Sequence, residues 1–377
     1  MALIAAGRGA VPLARRNLFE DRRRAVLSLL GIGAGLLMVL LMTGLLVGMT
    51  KQETAYIDAS PADLFVSQRG VRTLQMSTTE LPADSVARIA SVPGVKWAEP
   101  LRHTTTIVGS GEGRLISYLF GFDEAGGRGG PGELSAGRLP GPGEVVLDSA
   151  GARQLKVGVG DTIPVFGTPL RVSGLVSGLT GLGNTTMFVT GAQFAQMIGP
   201  GTNFVLVGSD GSVPSDVLSD RIATAVPEAT VQTRQQFSFE QARTIEDLYT
   251  DVVRTMIAAG FLIALALVAL TLSTVTSSKL REYGIVKSLG ATTGKLTGVV
   301  VRQAVWAIVA AMGVATALAL LLAFGVSKAM PGMLLVIEPG SVLVTAVGAV
   351  IVGVPAAMVP LRRVLRVDPA SAFRGAV

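Results

Sequence analysis

The 377-residue chain has no cysteine and one histidine, and only 15% of its residues are charged. Without cysteine there are no disulfides and no thiolate chemistry. With His103 alone, no histidine-based metal cluster and no ordinary Ser-His-Asp assembly with spare ligands can form. Gly109-Ser110-Gly111 lacks the spacing of a nucleophile elbow, so the sequence argues against an extracellular enzyme. His103 stands beside Thr104, Thr105 and Thr106 on an expected strand, where a structural role is the ordinary reading.

Charge is absent altogether from four windows, residues 25–50, 255–278, 303–327 and 339–361, which are built mainly from Leu, Val, Ala, Ile, Met and Gly. A helix rises about 1.5 Å per residue and the hydrocarbon core of a bilayer is about 30 Å thick, so each window is long enough to span it. A hydrophobic fraction of 49% and a mean hydropathy of +0.55 agree with a membrane protein of four spans. Residues 172–209 also lack charge, but they hold eight glycines, Pro200 and two asparagines without helical periodicity. Backbone groups in lipid must bond internally, so this stretch reads as strands and loops in water. The first window is also too long for the apolar core of a signal peptide, and no convincing cleavage site follows Thr50, so it is expected to be retained as a span.

The flanking charges give the orientation. The stretch before the first window has a net charge of +4, the loop 279–302 has +4, the tail after residue 361 has +3, and the block 51–250 has −5. Short loops rich in Lys and Arg stay in the cytoplasm. Both termini and the 279–302 loop are therefore expected inside a bacterial cytoplasmic membrane, with 51–250 outside. The basic isoelectric point near 9.9 comes from these membrane-flanking positions and does not argue for nucleic acid.

The predicted fold class is an α+β membrane protein. It has four transmembrane helices arranged one plus three, with a large extracytoplasmic α/β domain between the first and second. Residues 1–50 hold a cytoplasmic amphipathic segment and the first span, 51–250 the outer domain, and 251–377 the remaining spans. The outer domain shows a degenerate repeat: an expected strand at 63–67, a helix bounded by Pro82 and Pro93 and extended chain over 95–108, then a strand at 203–207, a helix from Pro214 to Pro227 and a strand at 229–233. Two such units can share one sheet. Between them, residues 109–202 read as an inserted β-rich lobe, with strands at 115–122, 144–147, 162–166 and 170–176, and with Asp148 placed to cap a short helix. Residues 236–254 keep roughly helical apolar spacing and are expected to extend the second span outward as a stalk.

No span contains Asp, Glu or His, so the chain has no obvious ion-coupling group of its own at membrane depth. The run Gly290-Ala291-Thr292-Thr293-Gly294-Lys295-Leu296 is not a phosphate loop, because it has one residue too few between its glycines and Leu296 where Ser or Thr would reach Mg²⁺. An energy source has to reside on a partner. The loop between the second and third spans opens with an amphipathic stretch, 279–290, with Leu280, Tyr283, Ile285, Val286 and Leu289 opposed to Lys279, Arg281, Glu282 and Lys287. Gly290 suits a left-handed helix stop.

Three motifs carry a family resemblance. Arg281-Glu282-Tyr283-Gly284-Ile285 followed by Lys287-Ser288-Leu289-Gly290-Ala291 resembles the signature of the FtsX/MacB-type ABC permeases. The tail, with Arg366, Asp368, Pro369 and Arg374, is similar to that family's closing motif, and Ala14-Arg15-Arg16-Asn17-Leu18 with Arg24 to Ile32 resembles its first-span lead-in. Asp63-Leu64-Phe65-Val66 and Met76-Ser77-Thr78 look most like the DevC-type exporter permeases.

The resemblance implies a type VII-like, non-catalytic permease subunit that binds no cofactor directly and works with a cytoplasmic ATPase that uses ATP and Mg²⁺. It also implies a second permease copy or a paired paralogue, with a periplasmic adaptor or a cell-wall protein as further candidates. The ATPase-coupling residues would be Lys279, Leu280, Arg281, Glu282, Tyr283, Gly284, Ile285, Lys287, Leu289 and Gly290. Residues 11–24 would lie along the inner leaflet or serve only as a positive anchor. The expected function is export or extraction of a hydrophobic or amphipathic cargo. The alternative is an FtsX-like regulator that activates an extracellular cell-wall hydrolase.

Overall fold

In the computed structural model the described residues are 22–74, 80–110, 113–179, 184–278, 292–330 and 332–365. The chain divides into a helical unit (1–46, 250–325 and 335–377) and a sheet unit (47–249 and 326–334). Four long helices run through the first, α1 (Arg22–Ala59), α6 (Arg234–Ser278), α7 (Thr293–Ala329) and α8 (Pro339–Leu365), with residues 47–59, 234–249 and 326–329 belonging to the sheet unit. Among the described residues three are long and apolar enough to cross a membrane, and the fourth has a shorter apolar part, Pro339–Pro355.

Small side chains decide how the helical unit packs. α7 contributes Ala304, Ala307, Ala311, Ala315 and Ala319, packed with Ile32, Leu36 and Leu40 of α1, Ala264 and Val268 of α6, and Ala349 of α8. The closest approach is between α1 and α6. A methyl group on Gly35 would sit 2.7 Å from both the Ala264 nitrogen and the Gly260 oxygen, and one on Gly260 would sit 2.9 Å from the Gly35 oxygen. In lipid, where apolar surface gains little from helix association, such small-residue contacts let backbones approach and gain dispersion energy. The outward positions of this unit, among them Leu262, Leu270, Leu321, Val344 and Ile351, are large, apolar and exposed, as lipid-facing positions should be.

The sheet unit contains β1 (Leu64–Gln68), α2 (Ser85–Ala90), β2 (Val95–Ser110), β3 (Gly113–Phe122), β4 (Leu134–Gly137), β5 (Glu144–Asp148), α3 (Ser149–Leu155), β6 (Thr162–Val165), β7 (Thr168–Val176), β8 (Asn184–Thr190), α4 (Gly191–Met197), β9 (Phe204–Ser209), α5 (Ser215–Ala225) and β10 (Ala229–Thr233). Its single ten-stranded sheet runs β10-β1-β9-β2-β3-β8-β5-β7-β4, with β6 paired to β7. The two β-α-β units read from the sequence interlock as neighbours β10-β1-β9-β2, all antiparallel, a split β-α-β arrangement. The inserted lobe continues this sheet. The 16-residue β2 pairs with β9 through Val95 to Leu101 and with β3 from Leu101 onward, and so joins the two halves.

Alternation along the strands builds two layers on the sheet. Leu64, Val66, Val205 and Val207 face α2 and α5, against Ile89, Leu218 and Ile222. Farther along, Leu119, Val145, Leu147 and Met187 pack with Ala152 and Leu155 of α3 and Phe194 of α4. The intervening residues Phe65, Phe120, Phe122, Val146, Phe188, Phe204 and Leu206 form the opposite layer, with Ile57 of α1 and Phe237 of α6. Residues 172–209, uncharged over their whole length, supply the end of β7, β8, α4 and all of β9, and apolar side chains on both faces of the sheet account for that composition. Asp148 caps α3 as its position predicts. One carboxylate oxygen accepts from the Ala150 N–H at 2.8 Å and the other from the Leu179 N–H at 2.8 Å, so a fully buried acid has both oxygens bonded.

Candidate functional site

The segment from Lys279 to Gly290 and the tail residues Arg366, Asp368, Pro369 and Arg374 lie outside the described residues, as does most of the 11–24 stretch. On either side of the loop the helices are described: α6 ends at Ser278 and α7 begins at Thr293. Both are held by the alanine-rich core of the helical unit.

The other end of α6 belongs to the sheet unit, and it is firmly fixed there. The Gln236 N–H donates to the Thr233 hydroxyl at 3.2 Å, and the Thr233 N–H donates to the Gln236 side-chain oxygen at 3.0 Å, a reciprocal capping box. The Arg234 N–H donates to the Asp63 carbonyl at 2.8 Å and its guanidinium to the Ser60 carbonyl at 2.8 Å. Ser238 donates to Asp58 at 2.7 Å. Phe237, 1% exposed, stacks on Phe65 of the sheet with centroids 4.7 Å apart and rings 7° from parallel. One turn on, Gln241 accepts from the Leu74 N–H at 3.0 Å. Helix α6 continues from this anchor for 45 residues without a break, which accounts for the stalk-like apolar spacing of 236–254.

On the same face of the sheet, beside this anchor, a small cavity is lined by residues of α1, β2, β3, β8 and α6 together with Leu74 and Leu179. The Tyr56 ring of α1 stacks on Phe120 at 4.5 Å, and its hydroxyl donates to the Gly129 carbonyl at 2.9 Å. Asn184 donates its amide to Glu53 at 2.9 Å, and Thr186 donates to the Leu179 carbonyl at 2.6 Å. His103 is 5% exposed and packs against Phe120 and Tyr118, with centroids at 4.9 and 5.7 Å, and its backbone N–H donates to Asn203. Burial disfavours the imidazolium and pushes its pKa down to about 4, so the ring is neutral at pH 7. Sequence reasoning assigned His103 a structural place and drew no link to Glu53, Tyr56 or Gln241. The signal was not local, since these residues come from segments up to 188 positions apart. Among the described residues no group of three His, Cys, Asp or Glu could hold a metal ion.

Residues 25–253 match the family model of the MacB-like periplasmic core domain, and residues 254–369 match that of the FtsX-like permease C-terminal region. The chain belongs to the FtsX/MacB-type ABC transporter permeases. The resemblance carried by the three motifs is thereby confirmed. An uncharacterized ABC transporter permease of Mycobacterium tuberculosis is 29% identical over 374 residues, covering 96% of this chain and 99% of the relative. A second one, of Mycobacterium bovis, is 25% identical over 368 residues with the same coverages. Among solved structures, the periplasmic region of MacB from Actinobacillus actinomycetemcomitans aligns at 17% identity and a TM-score of 0.38, covering 50% of this chain and 95% of that one. The extracellular domain of the noncanonic ABC-type transporter YknZ from Gram-positive bacteria aligns at 14% identity and 0.37, covering 45% and 99%. The permease is thus a membrane protein whose sheet unit is of the periplasmic core type.

Proposed function

We propose that this permease couples ATP hydrolysis by a separate cytoplasmic ATPase to movement of its sheet unit, and that this movement exports or extracts a hydrophobic or amphipathic cargo. The observation that carries the reading is α6. It is one uninterrupted helix whose first turns are locked into the sheet by a capping box and an aromatic stack, and whose last residue adjoins the amphipathic segment 279–290. Helices resist bending because each turn is tied to the next by backbone hydrogen bonds, so a push on that segment reaches the sheet with little loss. In this reading Lys279 to Gly290 dock on the ATPase, both termini are cytoplasmic, and two permease copies share two ATPase subunits. The spans contain no Asp, Glu or His that could couple an ion gradient instead.

The test is the ATPase rate of the complex reconstituted with its cognate ATPase. Glu282→Lys, which reverses a charge on the docking face, and Gly290→Pro, which disturbs the helix stop, are each expected to cut the rate while membrane insertion stays normal. An unchanged rate in both variants refutes the docking role. A normal coupled rate with no cargo moved, together with activation of a cell-wall hydrolase, would replace export with the regulatory reading.

A further inference from the structure

The cavity beside the α6 anchor lies wholly within the sheet unit and has a chemical character that a packing defect would lack. Among the described residues its lining includes one carboxylate, Glu53, and three aromatic rings, with no Lys or Arg. Most of its polar groups are committed to the frame: Tyr56 to Gly129, Thr186 to Leu179, and the Gln241 carbonyl to Leu74. The imidazole of His103 is not among these, and its Nδ1 is buried without a hydrogen-bond partner. Buried polar atoms are nearly always paired, so an unpaired nitrogen on a cavity wall points to a group that occupies the space.

The chemistry of that group follows from the wall. A neutral imidazole offers one lone pair to a donor, and a carboxylate accepts donors only. Aromatic rings at the same wall favour a cation, and Glu53 is the one charged side chain among the described residues that line it. The space open to water-sized groups is about 30 Å³, room for roughly two water molecules, and a –CH₂–NH₃⁺ terminus is of that size, whereas a trimethylammonium has no N–H to donate. One histidine and one carboxylate are too few to hold a metal ion.

We infer that this cavity is a binding site for a primary ammonium group, which donates to His103 and Glu53 and rests against the rings of Tyr56, Tyr118 and Phe120. Such a group can come from a soluble amine or from an amine-bearing lipid headgroup. The site would give the sheet unit a ligand of its own, whatever drives its movement.

His103 is the only histidine, so full-length permease labelled with ¹³C,¹⁵N-histidine and carrying no histidine tag gives a single imidazole signal. The protein is placed in phosphatidylcholine nanodiscs at neutral pH and titrated with ethylamine, with ethanol and tetramethylammonium as comparators. A saturable shift of the signal is expected with ethylamine alone, and Glu53→Gln should weaken the apparent affinity about tenfold by removing a charge-assisted partner. In nanodiscs containing phosphatidylethanolamine, a signal already at the shifted position assigns the source to lipid, and a signal that moves only when ethylamine is added assigns it to soluble amines. The proposal is overturned by a signal that ethylamine leaves in place, by equal shifts from ethanol or tetramethylammonium, or by an unchanged affinity in Glu53→Gln. The comparators act on the unmodified chain, so the outcome stands even if the variant fails to fold.

Discussion

Acidification should destabilise the sheet unit through one residue. His103 is buried neutral with a pKa near 4, against an ordinary value of 6.5. Well above pH 6.5 neither the folded nor the unfolded chain holds this proton. As pH falls through 6.5 the unfolded chain takes up a proton that the folded chain refuses, so stability is lost progressively between about pH 6.5 and 4. A shift of one pKa unit corresponds to about 1.4 kcal/mol, which puts the loss at about 2 kcal/mol by pH 5 and about 3 kcal/mol by pH 4. No other histidine contributes, so the window from pH 7.5 to 5 reports His103 alone apart from the first carboxylates. The assay is urea unfolding of the full-length protein in nanodiscs, followed by Trp97 fluorescence in a Trp306→Phe background, at steps across that window. His103→Gln should flatten the dependence. If wild type is flat between pH 7.5 and 5, or if the slope persists in His103→Gln, the account of the buried neutral ring is refuted. Glu53 lines the same cavity, and a strong interaction between its carboxylate and the imidazolium would give that flat result.

Three further outcomes follow from packing. Asp148→Ala removes the acceptor for two backbone N–H groups in a buried site and should cost about 2 kcal/mol in the same unfolding assay. Phe237→Ala deletes a buried ring stacked on Phe65 and should cost about 3–5 kcal/mol, with the loss seen by Trp97 and little change at Trp306 in a Trp97→Phe background. Gly260→Leu forces side-chain atoms into the Gly35 backbone. It should lower the helical unit's stability by about 1–3 kcal/mol, read by Trp306, whereas Gly325→Leu, with open space at its Cβ, should be neutral.

Much of the fold was legible because its signals are local. Uncharged windows longer than the bilayer mark the helices, and Pro82, Pro93, Pro214 and Pro227 bracket two short helices that the structure places at Ser85–Ala90 and Ser215–Ala225. Asp148 sits directly before the helix it caps. What escaped was set by distant pairing. The strand Asn184–Thr190 is held between β3, 68 residues earlier, and β5, and no pattern within it identifies either partner. β4 is four residues long and mostly exposed, so it has almost no hydrophobic signature. The His103 cavity was invisible for the same reason, since Glu53, His103, Asn184 and Gln241 become neighbours only after the sheet has formed and α1 and α6 have packed on it.

In the proposed function, work done in the cytoplasm moves the sheet unit. The absence of cysteine makes this directly measurable, because a single Arg153→Cys substitution on α3 accepts one spin label per chain without background. Distances between labels on two permease copies in the ATPase-bound complex should change when ATP is added, and should stay fixed in Glu282→Lys. A label-to-label distance indifferent to ATP, in a complex that hydrolyses it at the normal rate, would contradict the account.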